Sequence, residues 1–279
     1  MKSIDTLVED IYLIMQRKQY VAPDADQYIN DFADAMRDLM RKEFTQKGFW
    51  DGRNLRLSSI GKKDRQLWYS ANGYKGEPIQ AHTKIKFLYG NILEELVILL
   101  TKLAGHTVSD QQKVCHVGGV KGHQDCKIDN TLVDIKSASS YSFKKFEDGS
   151  LVEGNDPFGY QAQLDAYAYS NGVDDYAWVA IDKANGKLTV LRQKADPKID
   201  ERVEHVKEMV KGEIPERCYD DVPDGKSGNR KLGIECSYCN YKHHCWPDLR
   251  VFAYSGAPRF LTVVENEPNV PEITEGGNF

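Results

Sequence analysis

No long hydrophobic run interrupts this sequence. Its densest apolar stretch, Leu96 to Leu100, is far shorter than the roughly 20 residues a bilayer-crossing helix needs. The opening MKSIDTLVED lacks a basic start followed by an apolar segment, so no secretory signal is read there and a cytoplasmic location is expected. There is no basic excess either: 37 Lys and Arg stand against 42 Asp and Glu, for a net charge of −5. Global charge therefore does not advertise a nucleic-acid partner, and any DNA contact requires a local basic surface. Part of the acidic excess is set apart, because Thr262 to Phe279 carries Glu265, Glu267, Glu272 and Glu275 and no Lys or Arg. Cysteine is sparse, with six residues. In a reducing compartment these read as metal ligands or buried thiols rather than disulfides. What is present is an aromatic content of 10%, including 15 Tyr, which excludes disorder over most of the chain.

The chain length suits one large domain or a core with appendages. Residues 1–49 read as a helical cap, with Val8, Ile11, Ile14 and Met15, then Ile29, Phe32, Ala35, Met36 and Leu39, at helical spacing on either side of Ala22-Pro23-Asp24. Residues 50–80 read as loop. Residues 83–104 predict a helix whose core face holds Phe87, Leu88, Ile92, Leu96, Leu99 and Leu103, stopped by Gly105. Strands are expected at 119–128 and 131–138, a helix at 157–171, a hairpin of 175–182 with 187–192 around Asn185-Gly186, and a helix at 198–211. The expected domains are the cap, a core over 50–216, a Cys-rich segment over 217–250 and a mobile tail over 251–279. The order of elements predicts an α/β fold with a mixed sheet flanked by helices.

The informative stretch runs from Gly122 to Ser137. If Asp129-Asn130 is a two-residue hairpin loop, Ile128 pairs with Thr131, because Asn tolerates the left-handed conformation such a turn needs. Three steps outward, Asp125 then faces Asp134, with Cβ atoms roughly 4.5–5.5 Å apart. Lys136, two residues past Asp134, shares that face. Opposed carboxylates destabilise a sheet unless a cation lies between them, and a hard divalent ion such as Mg²⁺ suits this donor set. Lys136 would orient a water or hold a phosphate oxygen. The alternative is a solvated hairpin with ordinary surface charges.

Two further features bear on the choice. Glu94 and Glu95 interrupt an apolar helix, where an unpaired buried carboxylate is costly and a metal compensates; the polar edge of an amphipathic helix is the other reading. Tyr160, Gln163 and Tyr167 recur at spacings of three and four and so share one helix face, while Gln161 points elsewhere. That Gln either packs with a satisfied amide or holds a phosphate or a water.

Taken together, Gly90-x-x-x-Glu94, Gly122-His123-x-Asp125, Asp134-Ile135-Lys136 and Tyr160-x-x-Gln163-x-x-x-Tyr167 resemble the RecB-like, phage-exonuclease branch of the PD-(D/E)xK nucleases. The resemblance spans roughly residues 58–246. It implies a restriction-endonuclease-like core and metal-dependent hydrolysis of DNA phosphodiesters, as an exonuclease on single strands or strand ends in phage-type replication or recombination. In a phage-encoded protein the location would be the host cytoplasm, with replication or recombination proteins as partners. By the same resemblance, Asp125, Asp134 and the Ile135 carbonyl would ligate Mg²⁺ or Mn²⁺, with Glu94 on the metal directly or through water. Lys136 would position the attacking water, Gln163 and Tyr167 would support site and DNA, Tyr160 would face the DNA, and His123 would stand behind the ligands. Ser59-Ile60-Gly61 and Arg65-x-Leu67-Trp68-Tyr69 resemble the family's upstream segment, and Lys62, Lys63 and Arg65 are candidates for phosphate contacts. A non-catalytic nucleic-acid-binding module and an endonuclease on the same fold are the alternatives.

Cys236-x-x-Cys239-x5-Cys245 has metal-ligand spacing, and Cys218 could complete four ligands, with His243 and His244 as substitutes and buried free thiols as the alternative reading. Four thiols favour a closed structural Zn²⁺ site. The resembling families often hold a 4Fe–4S cluster here, but their upstream cysteine falls at Lys63 or Asp64 in this chain, which favours Zn²⁺. Cys115 and Cys126 have no partner pattern and read as buried thiols.

Overall fold

The computed structural model describes residues 2–45 and 54–273. The rest of the predicted cap, residues 46–49, and the tail positions Glu275, Gly276 and Gly277 lie outside the described residues. In chain order the helices and strands are α1 (Leu7–Arg17), α2 (Ala25–Thr45), α3 (Asp64–Ala71), α4 (Ala81–Leu103), β1 (Val108–Ser109), β2 (Val114–Val117), β3 (Val120–His123), β4 (Cys126–Ile128), β5 (Thr131–Ala138), α5 (Ser140–Glu147), α6 (Tyr160–Asn171), β6 (Asp175–Asp182), β7 (Leu188–Lys194), α7 (Ile199–Met209), β8 (Val222–Pro223), β9 (Arg230–Lys231), α8 (Ile234–Ser237), α9 (Lys242–Cys245), β10 (Arg250–Ala253) and β11 (Pro258–Val263). No described helix is long and apolar enough to cross a membrane. The chain divides into two units. One takes in the N-terminal residues, Leu55–Gly61 and Ile79–His205; the other takes in Lys62–Pro78 and the chain from Val206 onward.

The first unit is built on a mixed five-stranded sheet, ordered β1-β4-β5-β6-β7, flanked by helices. Only β5 and β6 run parallel; the other neighbours are antiparallel. The β5–β6 connection carries α5 and α6, as a parallel crossover requires. β6 is buried from Tyr176 to Asp182, so its Tyr-Ala-Trp-Val-Ala-Ile run is continuous rather than alternating, as expected of a strand covered on both faces. Alternation then sorts the two faces. Val133, Ile135, Ala177, Val179 and Ile181 pack with Leu7, Ile11, Ile14, Leu93 and Val97 of α1 and α4. Asp134 and Lys136 therefore project to the opposite face of β5.

The Asp129-Asn130 turn forms as expected. Both residues are left-handed (φ 47° and 69°), and Ile128 pairs with Thr131, Lys127 with Leu132 and Cys126 with Val133. The strand expected at 119–128 is instead broken at Gln124-Asp125. Its first half, β3, pairs with β2 in a separate hairpin. That hairpin lies close enough to α6 that a Cβ on Gly122 would meet Tyr167 Cε1 at 2.7 Å and Leu57 Cβ at 2.8 Å, so only glycine fits there.

Two helical expectations also change. Trp68 and Tyr69, read as part of a loop, sit in α3. Phe87, read as a core residue of α4, is 57% exposed, because the buried positions of that helix begin at Leu93.

The second unit contains a four-stranded antiparallel sheet, β10-β11-β9-β8. Residues 250–263, assigned from the sequence to the end of the Cys-rich segment and the start of a tail, form the β10–β11 pair, with Phe252 and Leu261 buried. Asp224 is buried and gathers Arg259 at 2.9 Å and Lys231 at 3.2 Å. An aromatic cluster of Trp68, Tyr69, Tyr74, Tyr241 and His244 packs α3 against the segment leading into α9.

Candidate active site

Glu94, Asp125, Asp134, Lys136, Gln163, Tyr160 and Tyr167 all belong to the first unit. Asp134 is 1% exposed in the middle of β5. Its Oδ1 accepts from Gln163 Nε2 at 3.2 Å, which places the α6 amide on the carboxylate. Its Oδ2 lies 2.7 Å from Lys136 Nζ, an ion pair without hydrogen-bond geometry, so this buried oxygen has no hydrogen-bond partner. Asp125 stands one residue before β4, and its Oδ2 accepts from the Ile135 N–H at 2.8 Å. The broken ladder thus turns Asp125 onto the β5 backbone. Lys136 Nζ also sits 4.6 Å from the centroid of the Tyr160 ring, within cation–π range.

Burial disfavours the charged form of all three carboxylates, and Asp134 adds to this at Glu94 and Asp125. Glu94 is pushed up to about 7, by burial first, then by Asp134 and Glu95, against the opposing pull of Lys136 and Gln112. Burial, then Asp134 and Glu94, hold Asp125 well above the usual carboxylate range. Burial also raises Asp134, with Lys136 opposing. For Lys136, burial disfavours the ammonium, but Asp134, Asp125 and Tyr160 outweigh it, and the net shift is upward. The neighbouring carboxylates thus favour the ammonium form of this lysine, which suits a hydrogen-bond donor. Tyr167 is buried and raised, by burial and then by Asp134, and it shares a hydrogen bond with Gln163.

One contributor was missed from the sequence. Gln112 donates from Nε2 to Glu94 Oε1 at 3.3 Å, and its backbone N–H donates to the Asp125 carbonyl at 2.9 Å. It touches both carboxylate-bearing segments from a loop where Asp110 (φ 53°) and Gln112 (φ 52°) are left-handed without being glycine. Such residues are uncommon and are held by their surroundings. No local sequence signal marks a glutamine in this role. Glu95 does not join the carboxylates. It lines a cavity of about 310 Å³ between α2 and α4 with Tyr28, Asp31, Phe32 and Lys102. Gln161 points away, as expected, and donates to the Leu151 carbonyl. His123 is exposed at the end of β3.

The other sequence candidates lie in the second unit. Lys62 and Lys63 are exposed, with Lys63 Nζ 5.5 Å from the Tyr219 ring centroid. Arg65 is committed to the fold rather than to solvent: it donates to the Pro215 carbonyl at 2.5 Å and to Tyr69 Oη at 3.3 Å, and its guanidinium packs on the Tyr69 ring. Cys218 is exposed; Cys236, Cys239 and Cys245 are partly buried; all four are free thiols. They lie near enough to feel one another. Cys236 is pushed up to about 11, by burial first and then by Cys239, Cys218 and Cys245. Cys115 and Cys126 are buried thiols, as expected.

Among the described residues, no group of three or more His, Cys, Asp or Glu side chains is placed so that it could hold a metal ion as it stands. The chemistry of the first unit nonetheless suits a cation. Three carboxylates, Asp134 buried and Glu94 and Asp125 half-buried, gather near one lysine, each is disfavoured in its charged form, and one buried Asp134 oxygen has no hydrogen-bond partner. An oxygen-liganded divalent ion would relieve all three at once.

No protein-family model matches the chain, and no curated protein matches it. Among solved structures it is similar to SSO0001, with a TM-score of 0.42 and 13% identity over 76% of this chain and 94% of that one. It is also similar to an alkaline exonuclease from Laribacter hongkongensis, with a TM-score of 0.39 and 14% identity over 58% and 86% of the two chains. A phage-related exonuclease from Haemophilus somnus 129PT gives a TM-score of 0.40 and 18% identity over 57% and 90%.

Proposed function

We propose that this chain is a metal-dependent DNA exonuclease that hydrolyses phosphodiester bonds from single strands or strand ends, by the PD-(D/E)xK type of chemistry. The observation that carries the reading is geometric: Asp134 lies 2.7 Å from Lys136 and accepts from Gln163, Asp125 accepts from the Ile135 N–H between them, and Gln112 ties Glu94 to the Asp125 segment. Mg²⁺ or Mn²⁺ held by these carboxylates and the Ile135 carbonyl would neutralise them and acidify water for attack on phosphorus.

The chain's own residues then divide the work. Lys136, fixed as an ammonium against Asp134, holds the attacking water or a phosphate oxygen and meets the negative charge that builds on the phosphate. Gln163 keeps Asp134 in one orientation and links it to Tyr167. The buried setting strengthens each of these interactions. Phage-type replication or recombination is the context we favour, with proteins of those processes as partners. The four cysteines of the second unit would hold a structural Zn²⁺, with a 4Fe–4S cluster as the competing group; an absorption spectrum of anaerobically purified protein separates a coloured cluster from colourless Zn²⁺.

The decisive experiment is digestion of end-labelled single-stranded, linear duplex and closed circular DNA, in Mg²⁺ or EDTA, beside Lys136→Ala. The expected result is Mg²⁺-dependent loss of linear DNA only, abolished by the substitution. Cleaved circles would make the protein an endonuclease. Binding without any cleavage would make it a nucleic-acid-binding module.

A further inference from the structure

The first half of α4 is exposed. From Ala81 to Tyr89, only Thr83 and Leu88 are partly covered. Leu88 to Leu93 leads into the buried half that carries Glu94. At 3.6 residues per turn, Phe87 and Glu94 lie about 20° apart around the helix and about 10 Å apart along it. They therefore share a face. Gly90 lies between them on that side, and a Cβ there would stand 3.2 Å from Ser137 Oγ, one residue beyond Lys136 on β5. Phe87 thus continues the face of α4 that bears the catalytic carboxylate, one turn past the point where the helix meets the end of β5.

The chemistry of this stretch is uneven. Phe87 is 57% exposed. Lys84, one turn before it on the same side, is exposed, as are Lys86 and Asn91. No Asp or Glu occurs from Pro78 to Leu93 in a chain whose acids outnumber its bases. Tyr89, on the far side of the helix, is 42% exposed, and its hydroxyl is engaged, donating to the Lys183 carbonyl at 3.3 Å. An exposed aromatic ring beside lysines, with carboxylates excluded, matches a polyanion that also offers flat apolar faces. Unpaired nucleobases on a phosphate backbone have both properties. In an intact duplex those faces are stacked away, so the match is to an unpaired strand.

We propose that Phe87, with Lys84 beside it, forms a subsite on which a base of an unpaired DNA strand stacks while its backbone leads toward Glu94. This rests on the nuclease reading for its direction but not for its contacts. The separation of about 10 Å corresponds to roughly three stacked nucleotides at about 3.4 Å each, so the stacked base would lie a few positions from the scissile bond.

The test is binding of a fluorescein-labelled oligothymidylate by the full chain in Mg²⁺, in the Lys136→Ala background so that the strand survives. Phe87→Ala should weaken Kd roughly 5- to 100-fold, and Phe87→Trp should restore it. Binding of a blunt duplex should be unaffected. Because Phe87 is exposed, circular dichroism and thermal melting should match the parent. Unchanged oligothymidylate affinity in Phe87→Ala would overturn the proposal, as would a parent that binds no strand. An effect of Phe87→Ala on self-association alone would also overturn it, and would give this face to a second copy of the chain. If the wild-type chain cleaves nothing but Phe87→Ala still loses affinity, the nuclease reading falls and the strand subsite stands.

Discussion

The carboxylate site and the cysteine segment are both clusters of ionisable groups, yet they are built in opposite ways. Asp134 sits in an eight-residue strand with neighbours on both sides, and its carboxylate is 1% exposed. The cysteines ride on two helices of four residues each and the turns around them, beside two-residue strands. In the first region the backbone ladder and an apolar core fix the geometry and force like charges together. In the second, short elements bury little apolar surface and rely on aromatic stacking and ion pairs such as Asp224 with Arg259. Repulsion held in place by a rigid sheet suits a catalytic cation. Thiols on weak local structure suit a cation that does the holding.

The sharpest way to break this contrast is to remove the fixed charge. Lys136→Ala or Asp134→Asn should lower single-turnover cleavage about 100- to 1,000-fold or more, and because each breaks a buried ion pair the melting temperature is measured beside the rate, at a temperature where the variant is folded. Cleavage at the wild-type rate in either variant would mean the cluster is not the active site. The cysteine segment should respond in the reverse sense. Cys236→Ser, or prolonged chelation, should lower the melting temperature by about 5–10 °C, roughly 2–3 kcal/mol, with loss of bound metal by elemental analysis. A protein purified without metal and melting as before would leave the thiols as simple packing.

A finer test concerns Gln112. Gln112→Ala frees the Glu94 carboxylate and should raise the Mg²⁺ concentration for half-maximal cleavage about 10- to 100-fold, with a parallel loss in Mg²⁺ affinity by calorimetry. Equal Mg²⁺ affinity in variant and parent would remove Gln112 from the site. The smallest effect is on stability against pH in EDTA. Glu94 ionises near 7 when folded and near 4.5 when not, so its folded pKa is raised. Its contribution to stability is complete below about 4.5 and is lost as pH rises through about 7. Chemical denaturation should show Glu94→Gln more stable than the parent at pH 8, by on the order of 1–3 kcal/mol, with the gap closing at low pH. A gap that widens toward low pH would reverse the assigned shift.

The hairpin bearing Asp134 and Lys136 was legible because two local rules meet there. A left-handed Asp-Asn turn sets the register, and period-two alternation sets the face. The helix carrying Glu94 was legible from its apolar spacing, but its length hid the fact that the first half is uncovered, so Phe87 was misplaced in the core. The break at Gln124-Asp125 was not legible. It depends on β3 leaving the main sheet to pair with β2, a choice made by Gly122 fitting under Tyr167. The strands at 250–263 were missed for a similar reason, since β11 joins the sheet through β9, which is only two residues long and meaningful only once paired.

By itself the sequence determined which chemical groups are present and which of them neighbouring turns and helix faces bring into line, because those relations span a few residues and follow from backbone periodicity. Only the tertiary structure decided that Glu94 meets Asp134, that a left-handed loop delivers Gln112 to Glu94, that Arg65 is consumed by packing, and that Phe87 stays bare. Those outcomes depend on burial and on charges brought close from distant parts of the chain, where removal from water rather than local geometry sets the energy.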